Sequence, residues 1–233
     1  MITRFLIFGI ASFSLPYTKA QEGYCIINDK DGYVNVRDKP SLTGKILRRI
    51  SEDDIFYSVC NNDDWCSVYT VNDINEWSEG FIHKNRIALL SSLPKINTFI
   101  YGLKENQLKA KNDTLLFRIE LAPFDSSKHR IQRGSGENGR MEKIDDAYPF
   151  GCFDRLPFLE IKFLQLIIHD EIIEFPKNQI SDFYEVALER MSLYSDKKGR
   201  LFIFSSNSDG AGGYEAVWII KNGKYLRRKI FRP

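Results

Sequence analysis

The 233-residue chain predicts a mainly β protein in two parts: a small β-barrel, then a β-rich α+β domain carrying one short helix. Three observations predict it. Between Tyr24 and Leu93, short apolar runs alternate with turn residues, the pattern of a compact all-β unit. Beyond Asn97, longer β-like runs end in glycine-containing turns. A single segment, Ile180, Phe183, Tyr184, Ala187 and Leu188, has apolar residues at helical spacing, predicting an amphipathic helix after Asn178.

Taken in order, the first stretch reads as a leader. A basic start at Arg4, the apolar run Phe5 to Leu15 and a polar end at Thr18-Lys19-Ala20 give the layout of a secretory signal peptide over residues 1–20, with cleavage expected after Ala20. The apolar run falls short of the roughly 20 residues that a membrane span requires, so no membrane insertion is expected after cleavage. Export out of the cytoplasm is therefore expected. Of the 33 basic and 31 acidic residues, Arg4 and Lys19 belong to the leader, which leaves a mature chain of equal charge. A long-range attraction to nucleic acid is therefore not indicated. The basic crowd Lys221, Lys224, Arg227, Arg228, Lys229 and Arg232 reads as the solvated face of a terminal strand rather than an anion-binding patch.

The barrel is expected over residues 21–92. Cys25 to Ile27 forms a first strand, and Asp29 to Gly32 turns it. In Tyr33-Val34-Asn35-Val36-Arg37 the two valines face one side and the polar residues the other, as a half-buried strand requires. Pro40 ends that strand, since proline cannot donate to a ladder. Ile46 to Ile50, Ile55 to Cys60, Trp65 to Thr70 and Gly80 to Ile82 supply the rest. Val34-Asn35-Val36-Arg37, then Pro40-Ser41, Gly44-Lys45-Ile46, Trp65-Cys66-Ser67-Val68 and Gly80-Phe81-Ile82 follow one another at intervals that resemble the bacterial SH3 (SH3b) family across roughly residues 24–90. Two departures are Phe81, where many relatives carry tryptophan, and a longer insert, Val71 to Ser78, before the last strand. The resemblance implies a small barrel acting as a binding module in the bacterial periplasm or beyond, with a cell-wall peptide or a protein as its partner.

Residues 93–97, with Pro94, read as a linker, and 98–233 as the second domain. There, Thr114 to Leu121 is a strand, Ser126 to Arg140 a mobile polar loop, and Glu160 to Ile168 with Ile172 to Phe175 a hairpin around His169-Asp170-Glu171. Leu201 to Phe204, Tyr214 to Ile220 and Tyr225 to Phe231 complete a sheet, with Asn222-Gly223 as a tight turn. The run Ser208 to Tyr214, followed by Trp218 and Asn222-Gly223-Lys224-Tyr225, resembles the C-terminal region of bacterial exported proteins of no assigned activity.

Four cysteines in an exported chain can pair. Cys60 and Cys66 flank a turn-rich tip, which suits a local bridge, although a four-residue loop would set Cys60 against Trp65. Cys25 can instead meet either of them on the barrel. Zinc is the poorer reading, because no histidine lies at ligand spacing from a cysteine pair.

Catalytic chemistry finds little support. A cysteine peptidase of the kind that accompanies exported SH3b modules needs a thiolate and a histidine base, and Cys152 with His169 are the only candidates. Phe150-Gly151-Cys152-Phe153-Asp154 lacks the Asp-Cys-Ser-Gly start of such enzymes. The glycines of Ser208 to Gly213 lack the Gly-Lys-Ser/Thr of a phosphate loop. His83, His129 and His169 stand apart in sequence, so no metal and no cofactor is expected. Binding is better supported. Tyr33, Tyr57, Trp65, Tyr69 and Trp77 combine apolar area with polar edges, and Trp77, on the insert, is least needed by a core. The alternative class is an exported inhibitor or immunity protein that blocks a wall-degrading enzyme; a cysteine-type hydrolase ranks last.

Overall fold

The computed structural model describes residues 21–61, 63–71, 77–104, 106–135, 139–207 and 212–232. The expected leader over 1–20, residues 72–76 of the insert and residues 208–211 of the glycine loop lie outside them.

The N-terminal part, the barrel for short, is a curled seven-stranded antiparallel sheet that forms an open half-barrel: β1 (Gln21–Ile27), β2 (Tyr33–Arg37), β3 (Ile46–Ser51), β4 (Ile55–Cys60), β5 (Trp65–Val71), β6 (Trp77–His83) and β7 (Ile87–Leu89), in the order β3-β2-β6-β5-β4-β1-β7. Its interior collects Cys25, Ile27, Val34, Val36, Ile50, Phe56, Val68 and Ile82. The alternation expected in β2 holds: Val34 and Val36 are buried while Asn35 and Arg37 are only partly so. Curling brings β2 hard against β6. A Cβ on Gly80 would lie 2.4 Å from Val36 Cγ1 and 2.9 Å from the Arg37 carbonyl oxygen, so only glycine permits the approach.

The C-terminal part is a sandwich. One sheet has five strands, β8 (Phe99–Lys104), β9 (Gln107–Lys111), β10 (Leu115–Pro123), β13 (Leu159–Ile168) and β14 (Glu171–Ile173), in the order β14-β13-β10-β9-β8. The other is the meander β15 (Met191–Ser195), β16 (Arg200–Asn207), β17 (Tyr214–Lys221) and β18 (Lys224–Phe231). Between them lie Leu108, Phe117, Ile119, Leu164 and Leu166 from the first sheet and Leu201, Ile203, Ala216, Trp218 and Ile220 from the second. Turns fall where expected at His169-Asp170 and Asn222-Gly223, all but Gly223 being non-glycine residues with positive φ.

The expected helix is absent; among the described residues only 3-10 turns occur, including Lys177–Gln179 and Leu188–Arg190. Asp182, Phe183 and Tyr184 are consecutive and all buried, whereas successive helical residues point about 100° apart and share no single face. Their backbone bonds run elsewhere: Phe150 N to Asp182 O at 2.9 Å, Tyr184 N to Phe150 O at 2.9 Å and Glu185 N to Leu159 O at 3.2 Å. Glu185, at φ 53°, closes the segment.

The loop expected at Ser126 to Arg140 also differs. It contains a 3-10 turn at Ser126–Lys128 capped by Asp125, then β11 (Ile131–Arg133), which pairs with β12 (Met141–Ile144). Residues 93–97 are held rather than slack: Ile96 N donates to Leu193 O at 2.8 Å and Ser195 N to Pro94 O at 3.0 Å, extending the meander past β15.

The meander is buried on both faces. Its second face, with Phe202, Val217, Ile219 and Phe231, packs on Ile26, Ile55 and Leu90 of the barrel. Around this junction the acidic turn Glu52-Asp53-Asp54 is held from the meander: Lys198 reaches Glu52 at 2.7 Å, Lys221 reaches Asp53 at 2.8 Å, and Lys229 reaches Asp54 at 3.1 Å. Arg200, only 2% exposed, bonds the Glu52 carbonyl. The C-terminal basic crowd is thus not simply a solvated face. Lys221 and Lys229 bind the barrel, and Arg228 grips buried Asp182 with two contacts of 2.5 Å.

Candidate functional site

Cys60 and Cys66 form a disulfide. The β4–β5 register, Tyr57 to Tyr69, Ser58 to Val68 and Val59 to Ser67, carried one step further sets Cys60 opposite Cys66, with Cα atoms 4.3 Å apart. The tip therefore has five residues, not four, and Cys60 does not face Trp65. Trp65 instead begins β5 opposite His83 of β6. Cys25 and Cys152 are free, buried thiols.

The five aromatic candidates separate into two groups. Tyr33 and Trp65 line one groove of about 210 Å³, with Arg37, Leu42, His83 and Arg86 on its walls. Local structure fixes each wall. Alternation along β2 turns Tyr33 away from the core, and Arg49 lies over its ring at 4.7 Å. Trp65 precedes buried Cys66, so its indole faces outward, edge-on to His83 at 5.4 Å. Arg37 Nη1 donates to Gly44 O at 2.6 Å, holding the loop that carries exposed Leu42. Arg86 is occupied by Asp29 and Asp31. The His83 Nδ1 lies 2.7 Å from Asn85 Oδ1, which leaves its Nε2 for the groove. Arg86 is thus paired within the chain while Arg37 is bonded to a main-chain carbonyl, so the groove offers a visitor ring faces, an imidazole edge, an apolar rim and one guanidinium. On the far side of Trp65, Pro40, Asn61, Asp63, Asp64 and Phe81 border a second depression of about 430 Å³.

Tyr57, Tyr69 and Trp77 lie on a different stretch of the outer surface, beside the sandwich. Tyr57 and Tyr69 are opposed across β4 and β5, with ring centroids 6.5 Å apart. Trp77 opens β6, is 48% exposed, and stands 6.4 Å from Phe231 of β18. Burial pushes the Tyr57 hydroxyl up, and the carboxylates of Glu22 and Glu215 push it the same way.

No family model matches the chain, and no match was found among curated proteins or solved structures.

The sequence-based catalytic pair is not assembled. Cys152 packs with Met141, Ile144 and Tyr184, and burial, with Glu185 adding to it, pushes its thiol up to about 12, the opposite of what a nucleophile needs. His169 occupies the β13–β14 turn, its backbone N–H bonded to Thr114 O. His129 is the histidine with charged company: Nδ1 lies 2.7 Å from Asp145, Nε2 lies 3.0 Å from Glu160, and the ring stacks on Phe124 at 4.6 Å. Residues 16 and 31 positions away in sequence carried no signal for this cluster. Among the described residues no group of three or more His, Cys, Asp or Glu side chains is placed so that it could hold a metal ion. Tyr24 was likewise missed: beside buried Cys25 on β1, it joins the aromatic surface to the sandwich, its ring 4.4 Å from that of Phe231. Its ring lies 5.5 Å from that of Tyr57, and its hydroxyl donates to Glu215.

Proposed function

We propose that the chain is an exported, non-catalytic binding protein whose barrel, of the SH3b type, recognises a cell-wall peptide or a protein partner. The observation that carries this reading is the convergence of Tyr33 and Trp65 on one groove where Arg86 is already paired within the chain. Such a groove favours an apolar or amide-bearing segment, because ring faces take apolar groups while the imidazole edge and the Arg37 guanidinium can bond amide groups. The Cys60–Cys66 disulfide supports export, since such bonds persist in oxidising compartments.

Sedimentation with purified peptidoglycan tests the cell-wall version. The wild-type chain is expected in the pellet, with Trp65→Ala and Tyr33→Ala each reducing retention about tenfold, the usual cost of losing a buried aromatic anchor. A wild-type chain that stays in the supernatant would sink the cell-wall partner, and retention unaltered by both substitutions would sink the groove.

A further inference from the structure

The outer face that β1, β4, β5 and β6 turn toward solvent beside the sandwich carries a row of rings flanked by carboxylates. Tyr57 and Tyr69 face each other across β4 and β5 with ring centroids 6.5 Å apart, exposed Trp77 extends the row onto β6, and at its inner end Tyr24, 5.5 Å from Tyr57, is packed against Phe204 and Phe231 of the sandwich. Glu79 is directly opposite Tyr69. Glu22 lies two residues from Tyr24 on the same face of β1, and Glu215 accepts the Tyr24 hydroxyl. The ion pairs of the barrel use Asp29, Asp31, Glu52, Asp53, Asp54 and Asp64; among the described residues none uses Glu22, Glu79 or Glu215. Arg48, the nearest cation on β3, spends its guanidinium on the main-chain oxygens of Ser78 and Glu79.

We propose that this face docks an extended peptide segment bearing lysine or arginine at alternate positions. Ring faces are negative at their centres and attract ammonium or guanidinium groups. Carboxylates beside them that enter no ion pair among the described residues add the matching charge, Glu22 and Glu79 accepting the hydroxyls of Tyr57 and Tyr69, and aliphatic stems of basic side chains lie well on rings. The spacing argues for a chain rather than a lone amine. In an extended peptide, residues i and i+2 on one side are about 6.6 Å apart, close to the 6.5 Å between the Tyr57 and Tyr69 rings. The surface is separate from the Tyr33–Trp65 groove, so the two readings stand or fall independently.

Fluorescence anisotropy with the full chain and a dye-labelled Lys-Ser-Lys-Ser-Lys-Ser peptide at low salt decides it, alongside the same peptide with every lysine acetylated. Binding of the basic peptide is expected, at least tenfold weaker after acetylation. Glu79→Gln, which keeps shape and removes charge, is expected to weaken binding about fivefold and Trp77→Ala about tenfold, while Trp65→Ala leaves it unchanged. The proposal is overturned if the basic peptide does not bind, if acetylation makes no difference, or if Glu79→Gln binds like wild type. Denaturant unfolding of each variant shows whether it is folded; should Trp77→Ala not be, the isosteric Glu79→Gln carries the comparison alone.

Discussion

At Cys60 the register of one hairpin decides a covalent bond, because a strand shifted by one residue turns every side chain to the other face. The pairing of Tyr57 with Tyr69 leaves five residues at the tip and brings Cys66 opposite Cys60. Closing so short a loop removes modest entropy from the unfolded chain, about 2 kcal/mol in the chain-entropy account. Replacing both cysteines with serine is therefore expected to lower urea stability by about that amount. Thiol labelling supplies the companion measurement: without reductant, Cys25 and Cys152 react only after denaturation and the other pair not at all. Four reactive thiols in the unfolded, unreduced chain would disprove the bridge. Gly80 offers a second residue-level test. In Gly80→Ala the new methyl meets Val36 and the Arg37 carbonyl, whose backbone cannot yield as a flexible side chain can. A loss of about 1–3 kcal/mol is expected in denaturant unfolding, the range for overpacking.

At the scale of elements, legibility tracked how local the cause was. Strands β2, β4 and β5 and the Asn222-Gly223 turn are set by alternation and by residues that accept positive φ, so they could be read directly. The segment Gln179 to Tyr184 could not, because its conformation is imposed by partners some forty residues later. Trp218 Nε1 donates to Gln179 O at 2.9 Å, the Tyr225 hydroxyl reaches Gln179 Oε1 at 2.9 Å, and Phe183 stacks on Tyr214 at 5.0 Å. Helical spacing of apolar residues there is real, but tertiary bonds override it. Of the candidate site, the outward direction of Tyr33 and Tyr57 was readable from alternation. Which aromatics would share a groove depends on curling of the sheet, which no local pattern records. The decisive pair for this element is Asp182 with Arg228, both largely buried. Asp182→Ala would strand a guanidinium over the Phe183 ring, and the expected loss is about 3–5 kcal/mol. Arg228→Met combined with Asp182→Leu is expected to recover most of it, because a buried pair replaced by apolar groups of similar size leaves no unpaired charge. A double variant no more stable than Asp182→Ala would show that the pair's geometry, and not the orphaned charge, holds the segment.

For the whole molecule, the meander is the shared wall, and its sequence shows why. Tyr214 to Ile220 is almost unbroken in apolar character, which a strand needs only when both faces are covered. Alternate residues divide between neighbours: Ala216, Trp218 and Ile220 enter the sandwich, while Val217 and Ile219 enter the junction with the barrel. Lys221 continues the barrel side and reaches Glu52 and Asp53. This arrangement makes the attachment of the barrel sensitive to acid. Hydrogen bonding to Lys198, with Lys221 adding to it, holds the Glu52 carboxyl below the usual carboxylate range. A group with a depressed folded pKa stabilises the folded chain above its unfolded value of about 4.3, and that contribution is lost as pH falls through the folded value. Lys221, raised chiefly by its bond to Asp53, behaves in the opposite sense: its contribution is complete below about 10.4 and is lost as pH rises beyond it. The clamp is accordingly expected to be fully formed between about pH 5 and 10 and to weaken on either side. Its groups are partly exposed, so salt should reduce the effect. Urea midpoints measured from pH 7 down to pH 3, for wild type and Glu52→Gln at low and high ionic strength, make the comparison. The wild type should lose more stability over this range than the variant, and the gap should narrow in salt. Parallel curves for the two proteins would mean that the apolar contacts of Ile26, Ile55 and Phe231 hold the barrel to the sandwich without help from Glu52.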